Sequence, residues 1–178
     1  VGGADNRARV WHIEGKEQVL EVLHDGSVAT VAVSPDGKLL ATGANDSTAS
    51  VWDIVTGSEV LRAVDDGAIT SVAVSPDGTL LATGSARGRI RVWDMKPVNR
   101  GVSVTHGGVI WSAAFSDTGG LLATTSTHGT TIVTSTAGVE LFRMESRGDQ
   151  LAAGELAQPE IGEVAIGEGG DLVAVILD

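Results

Sequence analysis

A repeat of 41 residues organises most of this 178-residue chain and limits the folds open to it. The run SVATVAVSPDGKLLATGANDSTASVWD starts at Ser27, a close copy starts at Ala68, and a more divergent copy starts at Val109. Three tryptophans keep the same interval of 41 positions: Trp11, Trp52 and Trp93. Because turns, tryptophans and apolar runs share one period, we expect a single structural unit that is stacked several times.

Each repeat divides into short runs of apolar and β-branched residues, a pattern that is typical of antiparallel strands. In the first full copy these runs lie at 28–33, 39–42, 50–52 and 59–62. Ser34-Pro35-Asp36-Gly37 has the chemistry of a tight turn, since Pro35 fixes φ and Gly37 accepts a positive φ. A four-stranded sheet cannot bury both of its faces alone. The sequence therefore predicts an all-β fold in which such sheets stack face to face around an axis.

The period, the Ser-Pro-Asp-Gly turns and the pairs Trp52-Asp53 and Trp93-Asp94 resemble the WD-repeat β-propeller family. The resemblance covers essentially the whole chain and implies four-stranded blades. It also implies a structural hydrogen-bond set in each blade, and one blade has the complete set: His24, Thr42, Asp46 and Trp52. The following blade has Asp65 and Arg87 where the first has its His and Asp, and the third has lost its Trp-Asp pair.

The repeat places four blade equivalents in one propeller region. We expect the outer half of a split blade at 1–24, full blades at 25–65 and 66–105, and a degenerate blade at 106–146. An insertion at 147–160 interrupts the period, and the inner half of the split blade follows at 161–178. In this family the two halves of a split blade usually pair to close the ring.

Three ways of completing the ring are consistent with this count. Two chains could complete each other's split blades and form an eight-bladed homodimer without free strand edges. The chain could be a piece of a longer propeller. It could also close on itself as a four-bladed ring, which is at the lower limit of known propellers.

Composition excludes several classes of partner and site. The net charge of −11 argues against nucleic acid as a partner, because phosphate binding needs a positive surface. No apolar stretch approaches the roughly 20 residues of a membrane span. The absence of cysteine excludes disulfides and thiolate metal sites, and together with the lack of a visible signal peptide it favours a cytoplasmic protein.

Residues capable of catalysis do not form a recognisable catalytic motif. His24 and His106 occupy repeat positions, which favours structural roles, although His106 and His128 with Asp117 or Asp149 are a conceivable metal set. Asp25, Asp65 and Asp66 precede first strands and are interpreted as solvated turn residues. We therefore expect no catalytic, cofactor-binding or metal residues, and no enzyme activity.

Two features favour a partner-binding rim. Trp111 stands near the start of a first strand, where the other copies have Ala29 and Thr70. It either anchors a partner or fills the gap left where Thr134 replaces a tryptophan. Arg87, Arg89 and Arg91 form a basic cluster that either meets an acidic partner segment or pairs with local carboxylates.

The resemblance implies a non-catalytic scaffold that binds a protein or peptide through its rim loops and central funnel. The step from fold to role is an analogy, because one fold hosts many functions. A first alternative is a regulatory or sensor module, or a fragment, of a larger multidomain protein. A second is a propeller-type hydrolase or lyase with its active site in the channel.

Overall fold

The computed structural model describes residues 2–95, 102–145, 161–166 and 173–177, and in the last two ranges only the backbone and the side chain of Ile166. These residues form sixteen β-strands in five antiparallel sheets, without a helix. The all-β class and the four-stranded antiparallel sheets predicted from the repeat are confirmed. No helix in this part of the chain could span a membrane. The predicted insertion at 147–160 lies outside the described residues.

Three sheets have four strands each, in chain order from one edge to the other. Blade 1 consists of β3 (Val28–Val33), β4 (Leu39–Ala44), β5 (Thr48–Asp53) and β6 (Glu59–Val64). Blade 2 consists of β7 (Ile69–Val74), β8 (Leu80–Ser85), β9 (Arg89–Asp94) and β10 (Val102–Thr105). Blade 3 consists of β11 (Ile110–Phe115), β12 (Leu121–Ser126), β13 (Thr130–Ser135) and β14 (Glu140–Glu145).

The two remaining sheets have two strands each. One pairs β1 (Arg7–His12) with β2 (Glu17–Leu23), and the other pairs β15 (Ile161–Ile166) with β16 (Val173–Leu177). A ring closed within one chain would need β16 to pair with β1, as β4 pairs with β5. In the described residues β1 and β16 belong to separate sheets, so this structure does not contain that closure.

The sheets stack in chain order, and their first strands make the main contacts between neighbouring sheets. β3 contacts β7, β7 contacts β11, and β11 contacts β15. The first strands therefore lie on the inner side of the stack, and β6, β10 and β14 lie on the outer side.

Apolar side chains fill each interface between successive sheets. Between blades 1 and 2 the buried cluster contains Ala41, Val51, Ile69 and Leu81. The other three interfaces have corresponding clusters, centred on Ala8 and Leu40, on Ile90 and Leu122, and on Ala123 and Ile166. A core divided between stacked units is expected of a repeat protein, because each unit contacts only its neighbours.

Glycine permits the closest approach between the sheets. A Cβ on Gly43 would lie 2.4 Å from Ile69 Cγ2, and one on Gly84 would lie 2.3 Å from Ile110 Cγ2. The first strand of the next blade therefore packs directly on the backbone of the second strand. At the same repeat position blade 3 has Thr125, which is buried and whose hydroxyl has no hydrogen-bond partner in the described part of the chain.

The Ser-Pro-Asp-Gly segments form the tight turns that their chemistry predicts. The Ser34 hydroxyl donates to Asp36 Oδ1 over 2.6 Å and accepts a bond from the Leu39 amide over 2.9 Å, while Gly37 has φ of 71°. Ser75 and Asp77 make the same hydroxyl–carboxylate bond, also at 2.6 Å. These local bonds fix the hairpin and hence the register of its two strands.

Every first strand contains a β-bulge near its start. Pairing with the second strand shifts between Val28 and Thr30 in blade 1, and at the corresponding places in blades 2 and 3. One residue per blade is thereby left out of the ladder: Ala29, Thr70 and Trp111. A bulge redirects the side chain of its extra residue, so this position differs in environment from the rest of the strand.

Candidate functional site

The loops that precede the first strands and the loops between second and third strands meet at one end of the blades. In blade 1, Asp46 in one loop accepts hydrogen bonds from the Asp25 and Gly26 amides in the other, at 2.9 and 3.2 Å. We call this end the rim. It contains His24 and Asp46 of the predicted hydrogen-bond set, the bulges, and most of the predicted partner-binding residues.

A continuous chain of polar contacts runs from Trp52, near the far end of β5, to the rim of blade 1. Trp52 Nε1 lies 3.0 Å from Thr42 Oγ1, which lies 2.7 Å from His24 Nε2. His24 Nδ1 lies 3.0 Å from Thr48 Oγ1, which lies 2.6 Å from Asp46 Oδ1. The structure thus brings together all four residues of the predicted set, with Thr48 between the histidine and the aspartate. The direct distance from His24 Nδ1 to Asp46 Oδ2 is 3.6 Å.

Among the proton assignments that these contacts allow, one leaves the buried histidine neutral and pairs both of its ring nitrogens. The indole of Trp52 can only donate, so Thr42 accepts from it; the Thr42 hydroxyl has two acceptors within reach, the Ser50 carbonyl at 3.2 Å and His24 Nε2 at 2.7 Å, and in this assignment it donates to the nearer His24 Nε2. Nδ1 of a neutral imidazole then carries the proton and donates to Thr48, which donates to the carboxylate of Asp46. Each link has one proton, so the buried imidazole is fully paired without a charge.

The pKa shifts agree with this assignment. Burial lowers the pKa of His24, which favours the neutral ring, while the charge of Asp46 acts in the opposite direction. For Asp46, burial alone would raise the pKa, but hydrogen bonds from Thr48 and from the Asp25 amide outweigh it, and the pKa is lowered. The aspartate is therefore an anion and the histidine is neutral near pH 7.

Blade 2 keeps the Thr–Trp bond and replaces the rest. Trp93 Nε1 donates to Thr83 Oγ1 over 3.0 Å, the same distance as in blade 1. Asp65 occupies the position of His24; its side chain is buried, so its interpretation as a solvated turn residue is wrong. Its Oδ2 atom lies 3.7 Å from Arg91 Nε in an ion pair and has no hydrogen-bond partner in the described residues.

Arg91 is held in place by several contacts. It donates from Nη1 to the Val64 carbonyl over 3.1 Å, and its guanidinium carbon lies 5.7 Å from the centroid of the Trp93 ring. Burial nevertheless dominates at Asp65 and raises the pKa of that carboxyl, with Arg91 acting against the shift. Blade 2 therefore contains a buried carboxylate where blade 1 contains a neutral imidazole.

Blade 3 keeps only the histidine and the threonine. His106 Nε2 lies 2.8 Å from Thr124 Oγ1, and Nδ1 has no partner in the part of the chain that the structure describes. Thr134 stands in place of the tryptophan, so no indole donates here. Burial, aided by the charge of Arg143 and opposed by Glu140, lowers the pKa of His106 to about 4.

Trp111 is exposed at the rim. It is the bulge residue of β11, and 57% of its surface is accessible. Leu122 pairs with both Phe115 and Thr134, which places Thr134 level with the far end of β11. Trp111 therefore lies at the opposite end of blade 3 from the position where Thr134 replaces the tryptophan.

The arginines of the basic cluster have different surroundings. Arg89 Nη1 lies 2.9 Å from Asp66 Oδ2, and Arg91 pairs with Asp65 as described above. Arg87 is exposed, and the described residues place no carboxylate within ion-pair distance of it. Its stem lies over Gly67, since a Cβ on that glycine would be 2.9 Å from Arg87 Cγ.

The bulge position lies next to the following first strand. Thr70 Oγ1 lies 2.6 Å from the carbonyl oxygen of Ile110, the residue before Trp111. In blade 3, His128 takes the place of Arg87, and a Cβ on Gly108 would lie 2.9 Å from its ring. Blades 2 and 3 therefore both contribute to the rim, blade 3 with the exposed indole of Trp111 and blade 2 with the exposed Arg87.

The residues considered for metal binding differ in their surroundings. His106 is buried and His128 is exposed, and no cluster of three or more metal-ligating residues occurs among the described residues. Asp149 lies outside the described residues. Asp25 faces Arg62, with 3.9 Å between carboxylate and guanidinium, and Asp65 and Asp66 face arginines.

Sequence analysis did not identify two contributors to this site. Thr48 mediates the His–Asp contact, and its only signal was its place two residues after Asp46, where a hydroxyl returns to a turn carboxylate. The second contributor is the ion pair of Asp65 and Arg91. Asp65 stands at the repeat position of His24 and Arg91 at that of Ser50, so an acidic and a basic residue appear together in the same copy, and this was its signal.

Comparison with known proteins identifies the repeated unit. The family model described as "WD domain, G-beta repeat" matches residues 17–53, 58–94 and 100–135, which together are more than half of the chain. The guanine nucleotide-exchange factor SEC12 of Rattus norvegicus is 46% identical over 43 residues, 24% of this chain. The matched stretch is about the length of one repeat and spans 10% of that protein.

Proposed function

Because this chain belongs to the WD-repeat family, we propose that it is a protein-interaction scaffold that binds an extended, acidic peptide segment at the rim of blades 2 and 3. WD-repeat proteins are generally non-catalytic and commonly mediate protein interactions. The exposed Trp111 is the observation that carries the proposal.

Trp111 is suited to anchoring a partner. A bulge fixes its backbone outside the ladder, while the Thr70 contact ties the adjoining carbonyl to the neighbouring blade. Tryptophan is enriched among residues that dominate binding energy. An anchor on a rigid sheet also loses little conformational freedom on binding, which lowers the cost of association.

The charges nearby favour an acidic partner. Arg89 and Arg91 are neutralised by Asp66 and Asp65, and Arg87 is the member of the cluster that remains available for a carboxylate. Although the whole chain has a net charge of −11, this loop places an exposed positive charge on the same rim as the apolar anchor Trp111. A peptide with an acidic residue beside an apolar one fits this combination.

The test is selection from a displayed peptide library on the immobilised full chain and on Trp111→Ala. We expect the unmodified chain to enrich a peptide class that Trp111→Ala does not enrich, and Arg87→Ala to deplete the acidic members. Val55→Ala, which removes an exposed apolar side chain in a turn remote from the rim, is the matched control. Equal enrichment on the Trp111→Ala chain would overturn the proposal.

We also propose that the chain associates with itself through its two half-blades. The edge of β1, which carries a single bridge from Gly2 to Ala8, and the edge of β16 correspond to the edges of β5 and β4, which pair along their whole length in blade 1. Free strand edges favour pairing with another chain. A homodimer completed in this way would contain eight blades, and light scattering would give twice the chain mass of 18.1 kDa.

A further inference from the structure

Four large apolar side chains are exposed on the two ends of the stack. Trp11 on β1 is 52% accessible, and Ile13, which follows that strand, is 90% accessible. On β14, Phe142 is 51% and Met144 is 37% accessible. Such side chains are individually ordinary on a surface, but these four hold repeat positions that are covered elsewhere in the molecule.

The positions of Trp11 and Ile13 are packed in blades 1 and 2. Trp52 and Ile54, 41 positions later, pack against the cluster that contains Ala8 and Val22 of the preceding sheet. Trp93 and Met95, another 41 positions later, likewise pack against the cluster of blade 1. The third strand of a blade therefore covers the sheet before it with a tryptophan and the apolar residue two positions later.

The positions of Phe142 and Met144 are packed in the same interfaces from the other side. Val133 pairs with Phe142 as Val51 pairs with Leu61, so Phe142 corresponds to Leu61, and by the same pairing Met144 corresponds to Ala63. Leu61 and Ala63 belong to the cluster that Trp93 and Met95 cover. In blade 3 these positions are occupied by larger side chains and remain open.

The exposed patch continues an interface that is already formed. Val133, the neighbour of Phe142 in the sheet, is buried in the cluster of Ala123 and Ile166, where β15 covers the inner half of blade 3. The outer half of the same face has no cover because the next sheet has two strands in the described residues. In blades 1 and 2 this cover comes from the third strand of the following sheet, through a tryptophan and the apolar residue two positions later. The sheet of β15 and β16 has no third or fourth strand in the described residues.

We propose that β1–β2 of a second copy of this chain supplies that cover, with Trp11 and Ile13 of one copy packed on Phe142 and Met144 of the other. The contact rests on the self-association proposed above and names the side chains that form it. Its geometry repeats the two internal interfaces, and by two-fold symmetry it forms twice in a dimer.

Site-directed cross-linking tests the contact, because the chain has no cysteine of its own. Ile13→Cys and Met144→Cys are made in separate full-length chains, mixed, and treated with a short bis-maleimide that joins two nearby thiols. We expect a covalent product of twice the chain mass that contains one copy of each variant. Val55→Cys mixed with Met144→Cys is the matched control, since Val55 is 87% accessible and lies outside the proposed contact.

Three outcomes would overturn the proposal. A chain that carries both Ile13→Cys and Met144→Cys is tested as well. If it cross-links only within single chains, the contact closes a four-bladed ring. A dimer by light scattering without the cross-link would show self-association through another surface. A chain that is monomeric and does not cross-link would contradict both the contact and the self-association, while leaving the peptide test at Trp111 unaffected.

A second pair of variants guards against loss of the fold. Trp11→Glu is expected to reduce dimerisation at least tenfold with little change in the circular dichroism of the monomer, since Trp11 is largely exposed within one chain. Phe142→Glu is expected to do the same. If neither substitution changes the monomer–dimer equilibrium, the patch is not the interface.

Discussion

Blades 1 and 2 share a backbone but differ in the polar groups that close their rim ends. Both have the same Ser-Pro-Asp-Gly turn, the same bulge and a Trp–Thr bond of 3.0 Å. Blade 1 adds a neutral histidine paired at both nitrogens, whereas blade 2 has a buried carboxylate opposite an arginine. The turns and apolar positions therefore specify the blade, and more than one polar arrangement can complete it.

The largest expected difference in stability concerns the threonine on the second strand of each blade, Thr42 in blade 1 and Thr83 in blade 2. Thr42→Val removes the acceptor of Trp52 Nε1 and the partner of His24 Nε2, which leaves two polar groups unpaired. Thr83→Val leaves only the Trp93 indole unpaired. Each polar group left without a hydrogen bond costs about 2 kcal/mol. We therefore expect the free energy of unfolding to fall by about 4 kcal/mol in Thr42→Val and by about 2 kcal/mol in Thr83→Val.

Urea unfolding of both variants measures this difference. The control is Thr79→Val at a turn, where the hydroxyl that is removed bonds to the exposed carboxylate of Asp77. Equal losses for Thr42→Val and Thr83→Val would mean that the histidine of blade 1 adds nothing to its blade.

The histidines of blades 1 and 3 are expected to respond differently to acid. The pKa of His106 falls from its ordinary value of 6.5 to about 4, so its contribution is present above pH 6.5 and is lost as pH falls towards 4. The full loss is up to about 3 kcal/mol. His24 has a carboxylate nearby, so His24 is expected to protonate at a higher pH than His106.

His128→Asp sharpens this comparison, because residue 128 holds the repeat position of Asp46. The new carboxylate should raise the pKa of His106 and reduce the acid-dependent loss of stability. The pKa values can be followed by NMR of the histidine rings. A His106 resonance that titrates at its ordinary value in the unmodified chain would contradict the assignment of a buried neutral ring.

The smallest of these effects concerns the ion pair of blade 2. Arg91→Met keeps the apolar stem over Trp93 but leaves Asp65 buried without its cation. We expect the free energy of unfolding to fall by about 2 kcal/mol near neutral pH. This is less than the cost of breaking a fully buried ion pair, because Arg91 is partly solvated.

The pH dependence of that loss identifies its cause. The pKa of Asp65 is raised, so the stability it contributes is present when the carboxyl is protonated and is lost as pH rises through the raised pKa. The penalty of Arg91→Met should therefore shrink in mild acid, measured by urea unfolding at several pH values. A penalty that is independent of pH would indicate lost packing rather than an unpaired carboxylate.

Much of the fold could be predicted from the sequence because its signals are local and repeated. Strand positions followed from alternating apolar residues, and the hairpins from turns whose bonds involve only neighbours such as Ser34 and Asp36. The family resemblance, carried by Trp52-Asp53 and Trp93-Asp94, is confirmed by the family model.

The candidate site was less predictable because it depends on distances across blades. The sequence placed His24, Thr42, Asp46 and Trp52 in one set, but it did not show that Thr48 lies between the histidine and the aspartate. It also left two roles open for Trp111, because the exposure of that side chain depends on how the blades pack; its role as an anchor stays a prediction. The division of the chain into blades at the predicted boundaries, and the partner, stay predictions.

The bulge at the start of each first strand has a consequence for how such a protein can change. Ala29, Thr70 and Trp111 occupy one position in three blades, and the shift of pairing is the same beside a methyl group, a hydroxyl and an indole. Because the residue is outside the ladder, its identity does not determine strand register. Each blade thus offers one site where a mutation can alter recognition with little effect on folding, and new partners can be acquired one blade at a time.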